Sequence, residues 1–169
     1  MLKIVIVCLL VMVPVAVGAM GQAPLHQTAG GGSGEGDLMG KAAPDFSLPT
    51  VSGEQKSMVQ ARAGKKAIIF FWATWCPHCH EALEAMIPQA EALKSKGVKV
   101  LLVDLGEDAG RVRSYLQANQ VPWDSFVDQD NSLQEPYQLI GVPTLYFVDE
   151  HGMIRNKEYG FPSNYADMF

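Results

Sequence analysis

Cysteine is scarce in this sequence, with three among 169 residues. So few cysteines cannot hold together a disulfide-stapled scaffold, and the chain is long enough to depend on a hydrophobic core instead. Charged residues make up only 18% of the chain against 48% hydrophobic ones, which excludes a disordered acidic or basic chain. The formal net charge of −5 offers no attraction to phosphates, so nucleic acid is not an expected partner.

The N-terminus carries an apolar run from residue 4 to 17, which follows Lys3 and precedes the small residues Gly18 and Ala19. A basic start, an apolar segment and a small-residue exit predict a secretory signal peptide over residues 1–20. The run is shorter than the ~20 apolar residues that span a bilayer, which favours cleavage over retention as a membrane anchor. Both readings predict a location outside the cytoplasm, in a bacterial periplasm or on the outer face of a membrane.

The next segment, residues 21–41, is rich in Gly, Ser and Gln and includes GGGSG at 30–34. It buries too little apolar area to offset the entropy of ordering it, which predicts a flexible linker. The folded domain is then expected over residues 42–169. Of the three cysteines, Cys8 lies in the signal segment and would leave with it on cleavage.

Hydrophobic patterning predicts an α/β domain with a mixed sheet. The apolar or alternating runs typical of strands are 44–49, 67–72, 98–105, 125–127, 145–148 and 153–159. Helical spacing appears in three stretches, which are 77–97 with a kink at Pro88, 111–119 and 133–139. Only ten residues follow Tyr159, so any closing helix is expected to be short.

Cys76 and Cys79 stand at the predicted junction of a buried strand with a helix. At this spacing two cysteines can close a disulfide within the first helical turn. Free amides and the positive dipole end of the helix stabilise a thiolate, which lowers the pKa of the leading cysteine. We therefore expect Cys76 to attack disulfides and Cys79, deeper in the helix, to resolve the mixed intermediate.

Residues 71–79, FWATWCPHC, resemble the active-site segment of the thioredoxin superfamily. GVPT at 141–144 resembles that superfamily's cis-proline loop. Further similarities narrow the resemblance to TlpA/ResA-like extracytoplasmic thiol-disulfide oxidoreductases, and they lie at 44–48, 97–104 and 149–152. The resemblance covers about residues 43–160 and implies a thioredoxin-like fold, a mixed central sheet flanked by helices, with a shortened C-terminal helix.

The resemblance also implies site residues and partners. Cys76 and Cys79 would form the redox-active disulfide, and Pro143, in a cis peptide bond, would present the backbone of Val142 to the substrate. Trp75 would border the groove. No bound cofactor or metal is implied, and the expected partners are protein thiols and disulfides, together with a membrane-bound or exported redox partner.

The direction of exchange is left open by the residues between the cysteines. Pro77 and His78 match the dipeptide of the oxidant DsbA, in which the histidine stabilises the thiolate and so favours the reduced form. The surrounding sequence resembles reductants, and this slightly favours the reductive direction. The direction of exchange, and the expected tuning of Cys76 by Pro77 and His78, are therefore implied by the family and not decided by the spacing of the cysteines.

Two acidic residues of the family are missing. Phe70 stands where thioredoxin has a buried aspartate, and Ala82 stands where ResA-like reductants have a glutamate. The sequence therefore identifies no proton acceptor for Cys79. Three acidic residues at the end of the strand at 98–105 and after it are expected to form a solvated helix start, and they are Asp104, Glu107 and Asp108.

Three other functions compete with disulfide exchange. Residues 76–80 also fit the C-x-x-C-H attachment pattern of c-type haem, with His80 as axial ligand. The two cysteines with His78 could form a soft copper or zinc site of a metallochaperone. A peroxiredoxin is disfavoured, because that family has a threonine where this chain has Ala73.

Overall fold

The computed structural model describes residues 38–169. The predicted signal or anchor at 1–20 lies outside these residues, as does the predicted linker up to residue 37. Within residues 38–169, no helix is both long enough and apolar enough to cross a membrane. The chain is already tied to the sheet before residue 42, since Gly40 donates a backbone hydrogen bond to Ile154 and Lys41 accepts one from it, both at 2.8 Å.

Seven strands and four α-helices make up the described chain. The strands are β1 Ser47–Pro49, β2 Gln55–Ser57, β3 Ala67–Trp72, β4 Lys99–Leu105, β5 Ser125–Asp128, β6 Thr144–Val148 and β7 Ile154–Glu158. The α-helices are α1 Met58–Arg62, α2 Pro77–Met86, α3 Ala90–Ser95 and α4 Ala109–Ala118. Short 3₁₀ turns occur at Ile87–Gln89 and Tyr165–Asp167.

The central sheet has five strands in the order β5-β4-β3-β6-β7, and β1 and β2 form a separate hairpin. β3 runs parallel to β4 and antiparallel to β6, while β4 is parallel to β5 and β6 antiparallel to β7. All six residues of β3 are buried, as expected for a continuous apolar run. The predicted mixed sheet flanked by helices is therefore confirmed.

The two faces of the sheet are covered by different elements. On β3, Ile68, Phe70 and Trp72 pack into one core cluster with residues of α2, α3 and α4. The alternate residues Ile69 and Phe71 pack into a second cluster, under α1 and the 133–139 segment. Burial of each such large side chain contributes roughly 1.5–3 kcal/mol to folding.

Of two expected helical features, the structure contains one and lacks the other. The kink at Pro88 is confirmed, since α2 ends at Met86 and a 3₁₀ turn separates it from α3. The helix predicted at 133–139 is wrong, because the segment is a series of turns. Pro136 lacks the N–H that a helix needs, and Gln138 adopts a left-handed backbone with φ 48°.

Two short elements and the chain end were not fully anticipated. The structure adds β2 and α1, and Ser57 caps α1 in a reciprocal pair of hydrogen bonds with Gln60. The closing helix is indeed short, a single 3₁₀ turn. Phe169 then packs against Phe147 of the sheet, with ring centroids 5.4 Å apart.

Candidate active site

The end of β3 and the start of α2 bring the two cysteines together. Cys76 is the N-cap of α2, with extended backbone, and Pro77 occupies the first turn, where its missing N–H costs nothing. Cys76 and Cys79 form a disulfide, and their Cα atoms are 5.2 Å apart. The Cys79 N–H donates to the Cys76 sulfur at 3.2 Å. The helix N-terminus therefore supplies a donor to the sulfur that would carry the thiolate charge.

The residues around the disulfide differ in exposure. Both cysteines are buried, Cys76 at 3% and Cys79 at 0%. Trp75 next to them is 62% exposed. His78 is also exposed, and its Nδ1 lies 3.0 Å from a carboxylate oxygen of Glu81. The histidine between the cysteines is thus paired with an acidic side chain one turn further along the helix.

The 141–144 loop lies beside the cysteine segment. The Val142–Pro143 peptide bond is cis, as the resemblance implies. Thr144 pairs with Phe71 across β6 and β3, which places Pro143 next to the end of β3, where the segment to Cys76 begins. The Thr144 hydroxyl donates to the Gly141 carbonyl at 2.8 Å and holds the loop. The sequence-predicted residues of both segments therefore come to the same edge of the sheet.

Glu107 anchors the loop that precedes Cys76. Its carboxylate accepts hydrogen bonds from the Thr74 N–H at 2.6 Å and the Thr74 hydroxyl at 2.7 Å. Arg111 pairs with the same carboxylate at 2.8 Å. The expectation of a solvated helix start is wrong for Glu107, which is buried because it satisfies the polar groups of Thr74. It holds for the exposed Asp108, which caps α4 through the N–H groups of Gly110 and Arg111.

His80 holds the other side of Thr74. Its Nε2 lies 2.8 Å from the Thr74 carbonyl oxygen, and its ring stacks on Tyr115 with centroids 4.9 Å apart. Axial ligation of a haem through this nitrogen would break the contact with Thr74. Among residues 38–169, no group of three or more His, Cys, Asp or Glu side chains is placed to hold a metal ion.

Asp104 is the residue that sequence reasoning misplaced most. It is fully buried, and neither carboxylate oxygen has a hydrogen-bond partner among the described residues. Burial and the Glu107 carboxylate beside it raise the pKa of Asp104 to about 8. The signal that could have located it is its spacing, since Asp104 continues the inward-facing series of Val100 and Leu102 on β4.

The positions at which the family's acids are missing are buried and apolar. Phe70 and Ala82 both pack in the core cluster that contains the cysteines. Ala73, where a peroxiredoxin would have threonine, is buried as well.

A model of the AhpC/TSA family matches residues 39–157. The chain belongs to this family. Thioredoxin-like protein YneN of Bacillus subtilis is 33% identical over 123 residues, which are 72% of this chain and 71% of YneN. Thiol-disulfide oxidoreductase ResA of Bacillus subtilis is 27% identical over 115 residues, 68% of this chain and 64% of ResA.

Solved structures agree with this membership. A putative thiol:disulfide interchange protein DsbE from Chlorobium tepidum has a TM-score of 0.65 and 29% identity, covering 77% of this chain and 89% of that one. The predicted thioredoxin-like fold and the TlpA/ResA-like resemblance are confirmed. With a disulfide between Cys76 and Cys79, this AhpC/TSA member is a thiol-disulfide oxidoreductase.

Proposed function

We propose that this protein reduces disulfides of protein substrates outside the cytoplasm. The observation that carries the proposal is the Cys76–Cys79 disulfide at the N-terminus of α2, at the sheet edge that also holds the cis Pro143 loop. The helix N-terminus stabilises a leaving or attacking thiolate at Cys76. The neighbouring loop offers the backbone of Val142 to an extended substrate, and exposed Trp75 borders the groove.

The exchange proceeds in two steps. The Cys76 thiolate attacks one sulfur of the substrate disulfide, a mixed disulfide forms, and the other substrate sulfur leaves as a thiolate. Cys79 then attacks the Cys76 sulfur and releases the reduced substrate, which leaves the protein oxidised. Two electrons have passed to the substrate, so a membrane-bound or exported dithiol partner must reduce the Cys76–Cys79 disulfide again.

The environment of His78 supports the reductive direction. A histidine that stabilises the Cys76 thiolate would favour the reduced form and make the protein an oxidant, as in DsbA. The reduction potential of DsbA is about −120 mV, whereas that of the reductant thioredoxin is about −270 mV. Here the Glu81 carboxylate lies 3.0 Å from Nδ1 of His78, so a negative charge stands beside the residue that would have to stabilise the thiolate.

The sequence supports the proposed location and client class. A signal or anchor over residues 1–20 and a linker over 21–41 would place the domain on the outer side of a membrane. The clients that the resemblance implies are apoproteins whose cysteine pairs must be reduced before they receive haem or a metal. An export fusion of residues 1–41 to a reporter active only outside the cytoplasm tests this location.

A redox titration tests the direction. The full chain is equilibrated with mixtures of reduced and oxidised dithiothreitol or glutathione, and the fraction of the Cys76–Cys79 disulfide is read by thiol alkylation and mass. We expect a potential near that of thioredoxin. A potential near that of DsbA would replace the reductase with an oxidase, the direction favoured by the Pro77–His78 dipeptide. A visible haem absorbance would indicate a c-type haem protein and neither a reductase nor an oxidase. Tight copper binding by the reduced protein in dialysis would indicate a metallochaperone.

A further inference from the structure

The turn between β3 and α2 carries the reacting sulfur. Cys76 donates its backbone N–H to the Ala73 carbonyl at 3.2 Å, which closes a β-turn with Thr74 and Trp75 at its central positions. The backbone of Thr74 therefore decides where Cys76 and the exposed Trp75 stand at the start of α2. The exchange steps described above use none of the side chains that contact Thr74.

Glu107 holds the N–H and the hydroxyl of Thr74 together. Its carboxylate is buried and accepts from the N–H at 2.6 Å and from the hydroxyl at 2.7 Å. The Arg111 Nε lies 2.8 Å from the same carboxylate and also donates to the Thr74 hydroxyl oxygen at 3.1 Å. Because a buried carboxylate is costly unless it is hydrogen-bonded and paired, these contacts keep Glu107 against the turn.

His80 holds the carbonyl of Thr74. Its Nε2 lies 2.8 Å from that carbonyl oxygen, and because a carbonyl only accepts, Nε2 carries the hydrogen and donates it. The backbone N–H of His80 donates to the Cys76 carbonyl at 3.3 Å. The residue that directly follows Cys79 thus binds the chain on both sides of Trp75.

The side chains around the turn come from one side of α4. Glu107, Arg111 and Tyr115 follow one another at intervals of four residues, just before and within this helix, and residues at this spacing share a helix face. Glu107 and Arg111 contact Thr74, while the Tyr115 ring stacks on the His80 ring with centroids 4.9 Å apart. The start of α4 therefore supports both residues that bind the turn.

We propose that Glu107 and His80 are positioning residues for Cys76, which they control through the N–H, hydroxyl and carbonyl of Thr74. They keep the Cys76 sulfur where the Cys79 N–H donates to it, at 3.2 Å. A hydrogen bond at this place stabilises the attacking thiolate. The inference rests on the proposed disulfide exchange but not on its direction, and it gives His80 a role other than that of an axial ligand.

Glu107→Ala should make Cys76 less reactive, because the N–H and hydroxyl of Thr74 lose their acceptor and the turn is no longer fixed. The pH at which half of reduced Cys76 is thiolate should rise by about one pH unit, and the alkylation rate constant below that pH should fall about tenfold. Glu107→Gln should restore most of the rate. Its carboxamide oxygen can accept from the N–H, and its nitrogen can donate to the hydroxyl oxygen.

His80→Phe tests the other contact. Phenylalanine keeps a ring that can stack on Tyr115 but has no donor for the Thr74 carbonyl, so Cys76 should again react more slowly and at higher pH. Asp108→Asn is the matched control. Asp108 is an exposed acid next to Glu107 in the sequence, and asparagine still caps α4, so this variant should follow the wild type.

The experiment alkylates the reduced full chain and each variant with iodoacetamide over a range of pH. Peptide mass spectrometry follows the Cys76 adduct separately from the other cysteines, and urea unfolding is measured in parallel. A merely structural role would lower the free energy of unfolding and leave the pH profile of Cys76 unchanged. That result for Glu107→Ala and His80→Phe would overturn the proposal.

Thr74→Val is the second variant if Glu107→Ala does not fold. It removes the hydroxyl alone and leaves the contact of Glu107 with Asp104 in place, so a slower Cys76 would show that Glu107 acts through Thr74. An unchanged Cys76 profile in both Thr74→Val and His80→Phe would overturn the proposal. Failure of the wild type to exchange with dithiothreitol would instead refute the proposed function, which the alkylation profile does not test.

Discussion

At the scale of single residues, the hydrogen bonds of Thr74 hold the loop that precedes Cys76, and neither cysteine takes part in them. All three polar groups of Thr74 are engaged, the N–H and hydroxyl by Glu107 and the carbonyl by His80. The loop therefore reaches Cys76 from a fixed position, and Cys76 can serve as the N-cap of α2. A network of this kind supports the site geometry through charge-assisted hydrogen bonds.

The two cysteines should respond differently to substitution. Cys76→Ser should abolish disulfide exchange, because serine cannot form the mixed disulfide, while the fold remains intact. Cys79→Ser should retain the attack and accumulate mixed disulfides with substrates, because no thiol resolves them. Insulin reduction and non-reducing gels measure the two effects. Full activity of Cys76→Ser would exclude the assigned nucleophile.

Asp104 should make folding stability depend on pH. Its pKa is raised from 3.8 to about 8 in the folded chain. Between these values the folded protein holds a proton that the unfolded chain has lost. The free energy of unfolding then falls as pH rises, by up to about 1.4 kcal/mol per pH unit. Urea unfolding at several pH values should show this decline in the wild type and a flatter profile in Asp104→Asn. Equal slopes would contradict the raised pKa.

The sequence predicted the cysteines but not the residues that support them. Cys76, Cys79 and Pro143 stand in local motifs that can be recognised along the chain. Asp104 and Glu107 act through contacts with Trp72 and Thr74, more than thirty residues earlier, and only strand register brings these together. Without that register, acidic residues at the end of a strand are expected to be exposed to solvent.

At the scale of elements, Arg62 at the end of α1 ties this helix to the turn between β6 and β7. It is buried, and one guanidinium nitrogen donates to the carbonyls of Lys65, Asp149 and Glu150 at 2.9–3.0 Å. The long strands were predictable because each is a continuous apolar run. α1 has only five residues, so tertiary contacts such as these stabilise it, and its own pattern is too short to reveal it.

Removing this link should weaken the fold. Arg62→Ala should lower the free energy of unfolding by about 2–4 kcal/mol, since the carbonyls of Asp149 and Glu150 lose a charged donor and its aliphatic packing. Lys94→Ala on the exposed face of α3 should change it by less than about 0.5 kcal/mol. Urea denaturation of both variants provides the comparison. Similar urea midpoints for Arg62→Ala and Lys94→Ala would show that Arg62 contributes no more to stability than a cation on the surface.

At the scale of the whole molecule, redox potential and stability are linked. A protein that gives electrons readily is one whose folded state favours the disulfide, whereas a strong oxidant such as DsbA is more stable when reduced. The proposed reductive direction therefore concerns the entire domain and not only the residues that flank the cysteines.

The oxidised protein should accordingly resist urea better than the reduced one, by about 2 kcal/mol, the low end expected for so short a loop. Unfolding with and without dithiothreitol measures the difference. The Cys76→Ser/Cys79→Ser double variant should show no dependence on dithiothreitol. A reduced form more stable than the oxidised form would indicate an oxidant.

The backbone hydrogen bonds of Gly40 and Lys41 to Ile154 fix the end of the sheet at which the described chain begins. Ile154 begins β7, whose other end, Glu158, pairs with Leu145 at the edge of the cysteines. The described chain thus begins at the end of the sheet opposite the cysteines. The backbone at Gly40 and Lys41 therefore lies away from the disulfide and leaves the cysteine end of the sheet open to partners.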